Sequence, residues 1–256
     1  MRSEPGRTLV EMSNTDQEQR TSETAEAWTL AGSILADDLP RRWAHSQGVG
    51  DRALEVGPVI TPTGADAALL VQAAILHDVG YSQAALETGF HALDGARYLR
   101  SLGVHDLVVN LVAHHSCAAV EAHERKLDKA LGEFSVGPPA LTDGLTFCDM
   151  TISPDGLPVS VDERIGEILT RYGTDSMVGQ FIARAEPELR AAVRRVALHL
   201  RHAGLETLAF ASLRGDAPSI DSYLSNSAPD AGVKGRTSVS ERRARTGAQR
   251  RLGACP

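Results

Sequence analysis

The segment Ala73–Ser82 reads AAILHDVGYS and sets His77 and Asp78 side by side where an apolar run ends. Imidazole nitrogen and carboxylate oxygen are both ligands for divalent transition metals. Taken alone, the pair could equally be a helix C-terminal histidine beside a surface carboxylate. It has company, however: His45, His91, the His114–His115 pair and Asp149 each fall near the end or on one face of an expected helix. Helices that each point one such group inward build a metal site in a bundle. Successive residues on a helix point about 100° apart. His77 and Asp78 could therefore flank one metal, or one could bind it while the carboxylate bridges to a second. The remaining histidines, His105, His123, His199 and His202, read as structural or solvated, and Asp94, Asp106, Asp143 and Asp155 as caps or turn residues.

The elements that must carry these groups are helical. Trp28, Ala31, Ile34 and Leu35 recur at helical spacing over 28–39. Asp38 and Pro40 predict the N-cap region and early proline of a second helix, which carries Trp43, Ala44 and His45 and runs to about Val56. Thr61–Pro62 marks a third start. That helix holds Ala67, Leu70, Val71, Ala74 and Ile75 and ends at His77–Asp78–Val79–Gly80, with Gly80 as its stop. Further helices are expected from His91 to Gly103, from Asp106 to His114–His115, within PALTDGLTFCDMTIS (which holds Asp149), over Val161–Arg171 and over Arg184–Ala203. Only Leu157–Val161 hints at a short strand. The fold class is all-α, a helical core over 24–214 between a disordered segment at 1–23 and a flexible basic tail at 215–256.

Composition is compatible with that reading. Of 256 residues, 42% are hydrophobic but only 4% aromatic, so the core must come from Ala, Leu, Val and Ile, and Ala and Leu are strong helix formers. Cys117, Cys148 and Cys255 form neither a paired framework nor a zinc motif, which points to a reducing, cytoplasmic setting. No apolar stretch approaches the roughly 20 residues of a membrane span, and the first twenty residues lack the apolar centre of a signal peptide. The net charge is −7, with the segment from Ala231 onward basic and the body acidic. An acidic body argues against a nucleic-acid-coating surface, and no membrane or specific nucleic-acid partner is indicated. It can still take an anionic phosphate if metals or local arginines bind it.

The order His45, then His77–Asp78, then Asp149 resembles the H…HD…D pattern of the HD-domain superfamily of metal-dependent phosphohydrolases. RRWAHSQGV is similar to the first-histidine helix, AAILHDVGYS to the signature helix and LTFCDMT to the final aspartate helix, so the resemblance covers about residues 25–170. FHALDGARYLRSLG and LVAHHSCA are similar to the extra histidine segments of members that hold two metals. The tetraphosphate-dinucleotide hydrolases of the superfamily have a comparable histidine before a Gly-Ala step, here His91, and a second before a small hydroxyl residue, here His115 before Ser116. The cyclic-di-nucleotide branch doubles that histidine, which brings in His114; its glycine-tyrosine-proline motif is absent. Many relatives carry a lysine three residues after the signature aspartate, and this chain has Tyr81.

The resemblance implies one or two divalent transition metals (Fe, Mn, Ni, Co or Zn). His45, His77, Asp78 and Asp149 would hold one metal; Asp78 as a bridge, with His91 and His115, would hold a second. It implies a hydrolase that cleaves a phosphoester or phosphoanhydride of a nucleotide or other small phosphate compound through a metal-activated water, with His77 and Asp78 at the catalytic centre. Arg97, Arg100 and Arg164 are the candidate phosphate contacts, because a guanidinium offers a bidentate fork to phosphate. Two alternatives use the same fold. One is a di-iron oxygenase acting on a small polyol or phosphonate, which the absent lysine leaves open; the other is a non-catalytic nucleotide sensor.

Overall fold

The computed structural model describes residues 14–213. The expectations for residues 1–13 and for the basic tail at 215–256 lie outside the described residues. The described chain is helical, in the order α1 (Asn14–Leu35), α2 (Pro40–Ile60), α3 (Gly64–Leu76), α4 (His91–Ser101), α5 (Asp106–His114), α6 (Ala118–Arg125), α7 (Asp128–Leu131), α8 (Pro139–Met150), α9 (Val161–Tyr172), α10 (Met177–His202) and α11 (Glu206–Leu213). Single 3₁₀ turns follow α3 at Val79–Tyr81 and α5 at His115–Cys117. The all-α expectation holds. The strand hinted at near Leu157 is an isolated bridge between Ile152 and Pro158 inside a loop. None of the described helices is long and apolar enough to cross a membrane.

The apolar pattern explains the arrangement. Helix α3, GADAALLVQAAIL, is apolar on every side, and Leu69 through Leu76 are all buried. A helix apolar all round belongs at the centre. It packs against α1, α2, α5 and α8. Helix α10 lies along α8, α9 and α11, burying Phe181, Ile182, Leu189 and Val193. Residues at the C-terminal end of α3 therefore sit in the middle of the molecule, and His77 and Asp78 are buried there.

Several local expectations are corrected. Residues 14–23, expected as unpatterned chain, belong to α1; they lack an apolar face, but Gln19–Glu23 and Ser22–Glu26 pair at helical spacing. Helix α2 starts at Pro40 after Leu39, with no side-chain cap from Asp38, and continues to Ile60 through Pro58. The cap of α3 is Thr63, whose hydroxyl accepts from the Asp66 amide, rather than Thr61. Helix α10 begins at Met177, capped by Ser176, ahead of the expected Arg184. Asp143 lies inside α8 and pairs with Arg195, whereas Asp155 is a turn residue as expected and also pairs with Arg41.

Gly80 has a different role from a helix stop. It lies in the 3₁₀ turn after α3, where a Cβ would come 1.9 Å from the His91 carbonyl oxygen and 2.6 Å from the Gly95 amide. The turn carrying Asp78 thus packs directly on the start of α4. A second close approach joins α2 to the loop after α8: Gly156, at φ +78°, would put a Cβ 2.5 Å from the Ala44 carbonyl oxygen. Both contacts meet backbone, which cannot rotate away. Gly80→Ala should therefore destabilise the protein by about 3 kcal/mol, the upper range for an overpacked site, read as a lower urea midpoint. A midpoint within error of the parent would show that α4 can retreat freely.

Candidate metal centre

Five elements deliver the six ligand candidates. His45 comes from the middle of α2, His77 and Asp78 from the end of α3, His91 from the first residue of α4, His115 from the end of α5 and Asp149 from the last turn of α8. All are buried except His91, which is partly exposed. They form two triplets, His45–His77–Asp149 and Asp78–His91–His115, in each of which the ligand atoms lie within 4.8 Å of one another.

The two triplets meet at Asp78. Its Oδ2 lies 3.4 Å from His77 Nε2 and 3.9 Å from His45 Nε2, while its Oδ1 lies 3.8 Å from His91 Nε2. One carboxylate thus turns an oxygen toward each set of histidines. Asp149 Oδ1 sits 3.1 Å from His45 Nε2 and 3.9 Å from His77 Nε2. His91 and His115 bring their Nε2 atoms within 3.1 Å of each other.

The ring orientations are set by backbone. His77 is the first residue after α3, and its Nδ1 donates to the Ala74 carbonyl at 2.8 Å. His115 is the first residue after α5, and its Nδ1 donates to the Val112 carbonyl at 2.6 Å. The last carbonyls of a helix have no intrahelical partner, so the same device at two helix ends satisfies an orphan acceptor and fixes a tautomer. His45 Nδ1 similarly donates to the Ser153 carbonyl at 3.0 Å, across the Gly156 contact. Each ring is left with Nε2 as a lone pair facing inward, the arrangement in which a metal-ligating histidine is usually held. His77 Nε2 is buried with no hydrogen-bond partner, as suits a group that ligates a cation. These residues fit a divalent metal.

His91 and Asp149 are held by other means. Asp94, in the first turn of α4, accepts hydrogen bonds from the amides of Glu87, Thr88 and Gly89 and from the Thr88 hydroxyl, pinning the loop before His91. Tyr81 stacks on His91 with centroids 4.2 Å apart and planes 15° from parallel. Ser116 and Cys117 adopt left-handed backbone at φ 46° and 62°, which costs of order 1 kcal/mol or more each for non-glycine residues. That turn aims the Ser116 hydroxyl at Asp149 Oδ2, 2.5 Å away.

Charge is nearly balanced before any metal is counted. Burial pushes the Asp78 carboxyl upward, but Arg42, 2.8 Å away, and His77 outweigh it and hold the group well below its ordinary range. Asp149 is likewise held well down, by the adjacent His45 together with His77 and Arg164, against the effect of burial. Burial lowers His45, lowers His115 with help from His77, and lowers His91 furthest, with help from His115. At His77 burial also acts downward, but Asp78 and Asp149 outweigh it and the net shift is upward. Ionised carboxylates and neutral imidazoles are the forms that bind metal.

The structure does not bring every expected site residue to this centre. His114 Nε2 turns away and donates to the Phe134 carbonyl at 2.9 Å. Arg97 is committed to Glu87 and Glu133, and Arg100 to Glu133 and the Phe134 ring. Arg164 does face the centre, with NH2 3.8 Å from Asp149 Oδ1. The cation that sequence reasoning missed is Arg42. It sits one turn before His45 on α2, bonds Asp78 and lies 3.9 Å over the Tyr81 ring. Its i, i+3 spacing to His45 was the available signal. A guanidinium therefore stands over the residue that replaces the lysine of many relatives.

Residues 42–140 match the HD domain family, so the chain contains an HD domain. The matched segment contains His45, His77, Asp78, His91 and His115; Asp149 lies beyond it. No solved structure matches the chain. The family is one of hydrolases that bind divalent metals, and the centre described above provides such a site.

Two outcomes follow. His115→Ala should weaken binding of added Mn²⁺ by at least about 100-fold, more than second-sphere changes cost, whereas His114→Ala should leave it unchanged in calorimetry. Equal losses would place both rings at the metal. The second concerns pH. Where the folded pKa is lowered, the unfolded chain binds more protons between the two values, so stability falls as pH drops through the unfolded histidine value. His45, His91 and His115 act in that sense and His77 in the opposite one. Metal-free protein should thus lose thermal stability from about pH 7.5 to about pH 5.5, and His91→Gln should flatten the slope. An unchanged slope in the variant would mean that His91 titrates as it does in the unfolded chain.

Proposed function

We propose that the protein is a metal-dependent phosphohydrolase that cleaves a phosphoester or phosphoanhydride of a small phosphate compound, a nucleotide being one class, in the cytoplasm. The observation that carries this reading is the position of Asp78, with one carboxylate oxygen toward His45 and His77 and the other toward His91. Asp78 would thus serve two metals, one held by His45, His77 and Asp149 and the other by His91 and His115. Bound divalent ions would supply Lewis acidity, activating a water at neutral pH and offsetting charge on the phosphoryl oxygens.

The chain's own residues have complementary tasks. Arg42 and Arg164 flank the two carboxylates and offer N–H donors to phosphate oxygens at the cavity floor. Donors fixed before the reaction stabilise the charge that develops in the transition state without reorganisation. The backbone carbonyls of Ala74, Val112 and Ser153 keep three imidazoles in one tautomer. Ser116 keeps the second oxygen of Asp149 occupied, so the carboxylate presents Oδ1 inward.

The oxygenase alternative drew on the missing lysine. Arg42 above Tyr81 restores a cation at that place, which favours phosphate chemistry over oxygen activation. The assembled ligand set likewise favours an enzyme over a sensor. Protein loaded with Mn²⁺ or Fe²⁺ should release inorganic phosphate from a panel of phosphate esters and nucleotides, and a chelator should stop it. Arg42→Gln should lower kcat by about 100-fold, the usual cost of one oxyanion donor, with metal content retained. Absence of phosphate release from every ester, together with Fe²⁺-dependent oxygen uptake, would replace the hydrolase with the oxygenase.

A further inference from the structure

The cavity over the metal centre has two unlike halves. Its floor is made by Asp78, His91, His115 and Asp149 with Arg42 and Arg164 beside them. Part of its wall is apolar, made by Met150, Ile168, Val178, Phe181, Ile182 and Leu189, from α8, α9 and α10, beside Glu121, Arg125, Arg171 and Tyr172. The volume is about 250 Å³, below the roughly 300–1,000 Å³ of common ligand pockets.

The charges within it are already assigned. Arg125 is held by Glu121 at 2.7 Å, and Arg171 by Glu167 at 2.5 Å. Arg164 also has Glu167 as a partner, at 2.6 Å. Among the arginines lining the cavity, only Arg42 has no glutamate partner; it pairs with Asp78, a ligand candidate at the floor. A nucleoside polyphosphate needs cations along a chain of phosphates and polar partners for sugar and base. The apolar wall supplies neither, the cavity's other arginines, Arg125 and Arg171, being held by glutamates, and a polar ligand group left unpaired in an apolar wall loses affinity.

Resting on the phosphohydrolase reading, we infer that the substrate is a phosphomonoester with one phosphoryl group at the metal floor and an apolar alkyl or single-ring alcohol moiety against the α9–α10 wall. Hydrolysis breaks its ester P–O bond. Water supplies the new oxygen on phosphorus and the proton on the departing alcohol, giving alcohol and inorganic phosphate. The apolar wall sets specificity by burial, since each methylene removed from water contributes about fourfold in binding.

The test is a series of n-alkyl phosphates from methyl to hexyl, with ATP alongside, on Mn²⁺-loaded full-length protein. Phosphate release and calorimetric binding are measured on the same samples. The expected result is a rise in kcat/KM and affinity of about fourfold per methylene until the cavity is filled, with ATP below hexyl phosphate. Val178→Glu places a charge in the wall at the first turn of α10, where a carboxylate suits the helix dipole. It should flatten the series, with helicity and metal content unchanged. Release that is flat along the series, or fastest from ATP, overturns the inference and leaves the phosphohydrolase standing. Affinity that climbs along the series without phosphate release does the reverse: the apolar pocket stands and the hydrolase falls. Neither release nor a graded affinity rejects both.

Discussion

Burying the carboxylate of Asp78, only 2% exposed at the end of the central helix, imposes a demand on everything around it. An uncompensated carboxylate in the interior costs several kcal/mol, and removing one member of a buried pair costs about 3–5 kcal/mol. The fold answers with Arg42 from α2, clamped over Tyr81, and with imidazoles from three other elements. A second buried carboxylate, Asp149, is answered by His45, Ser116 and Arg164. Two such anions with inward-facing lone pairs make a centre that a divalent cation completes rather than disrupts.

The scaffolding around that centre is local and economical. Where α3 and α5 end, the next residue is a histidine that reaches back three positions to a carbonyl the helix leaves unpaired. Helix termination, tautomer choice and ligand direction are thereby one event. Gly80 lets the Asp78 turn touch the start of α4, and Gly156 lets the loop after α8 touch α2 beside His45. The positions of His91 and His45 thus depend on backbone contacts between separate elements. The strained turn at Ser116–Cys117 persists because the Asp149 hydrogen bond and the His115 anchor hold it on both sides.

Much of this was legible in the residues. The apolar periodicities placed the helices, and the types and order of His45, His77, Asp78, His91, His115 and Asp149 carried the site, helped by the family resemblance. What failed did so for geometric reasons. Arg97 lies six positions after His91, about 240° around the helix, so it points away from the ring it was expected to assist. His114 and His115 are equivalent on paper. The helix ends between them, and only the ring beyond the end can turn back to Val112. Arg42 has a weak local signal, its i, i+3 spacing to His45, but its partners Asp78 and Tyr81 lie 36 and 39 positions away and only the fold brings them together. The polar residues 14–23 looked unstructured because they have no face to bury, yet helix propensity and side-chain pairs suffice to extend α1.

The role proposed for Asp78 is to join two metal positions. It is tested most directly by the metal content per chain of protein purified without chelator, measured by mass spectrometry on the parent and on Asp78→Ala. The expected result is about two transition-metal ions per parent chain, as a two-metal centre requires, and none held tightly by the variant, with its helical content preserved. A single ion per parent chain would remove His91 and His115 from the centre. Full metal content in Asp78→Ala would contradict the bridge itself.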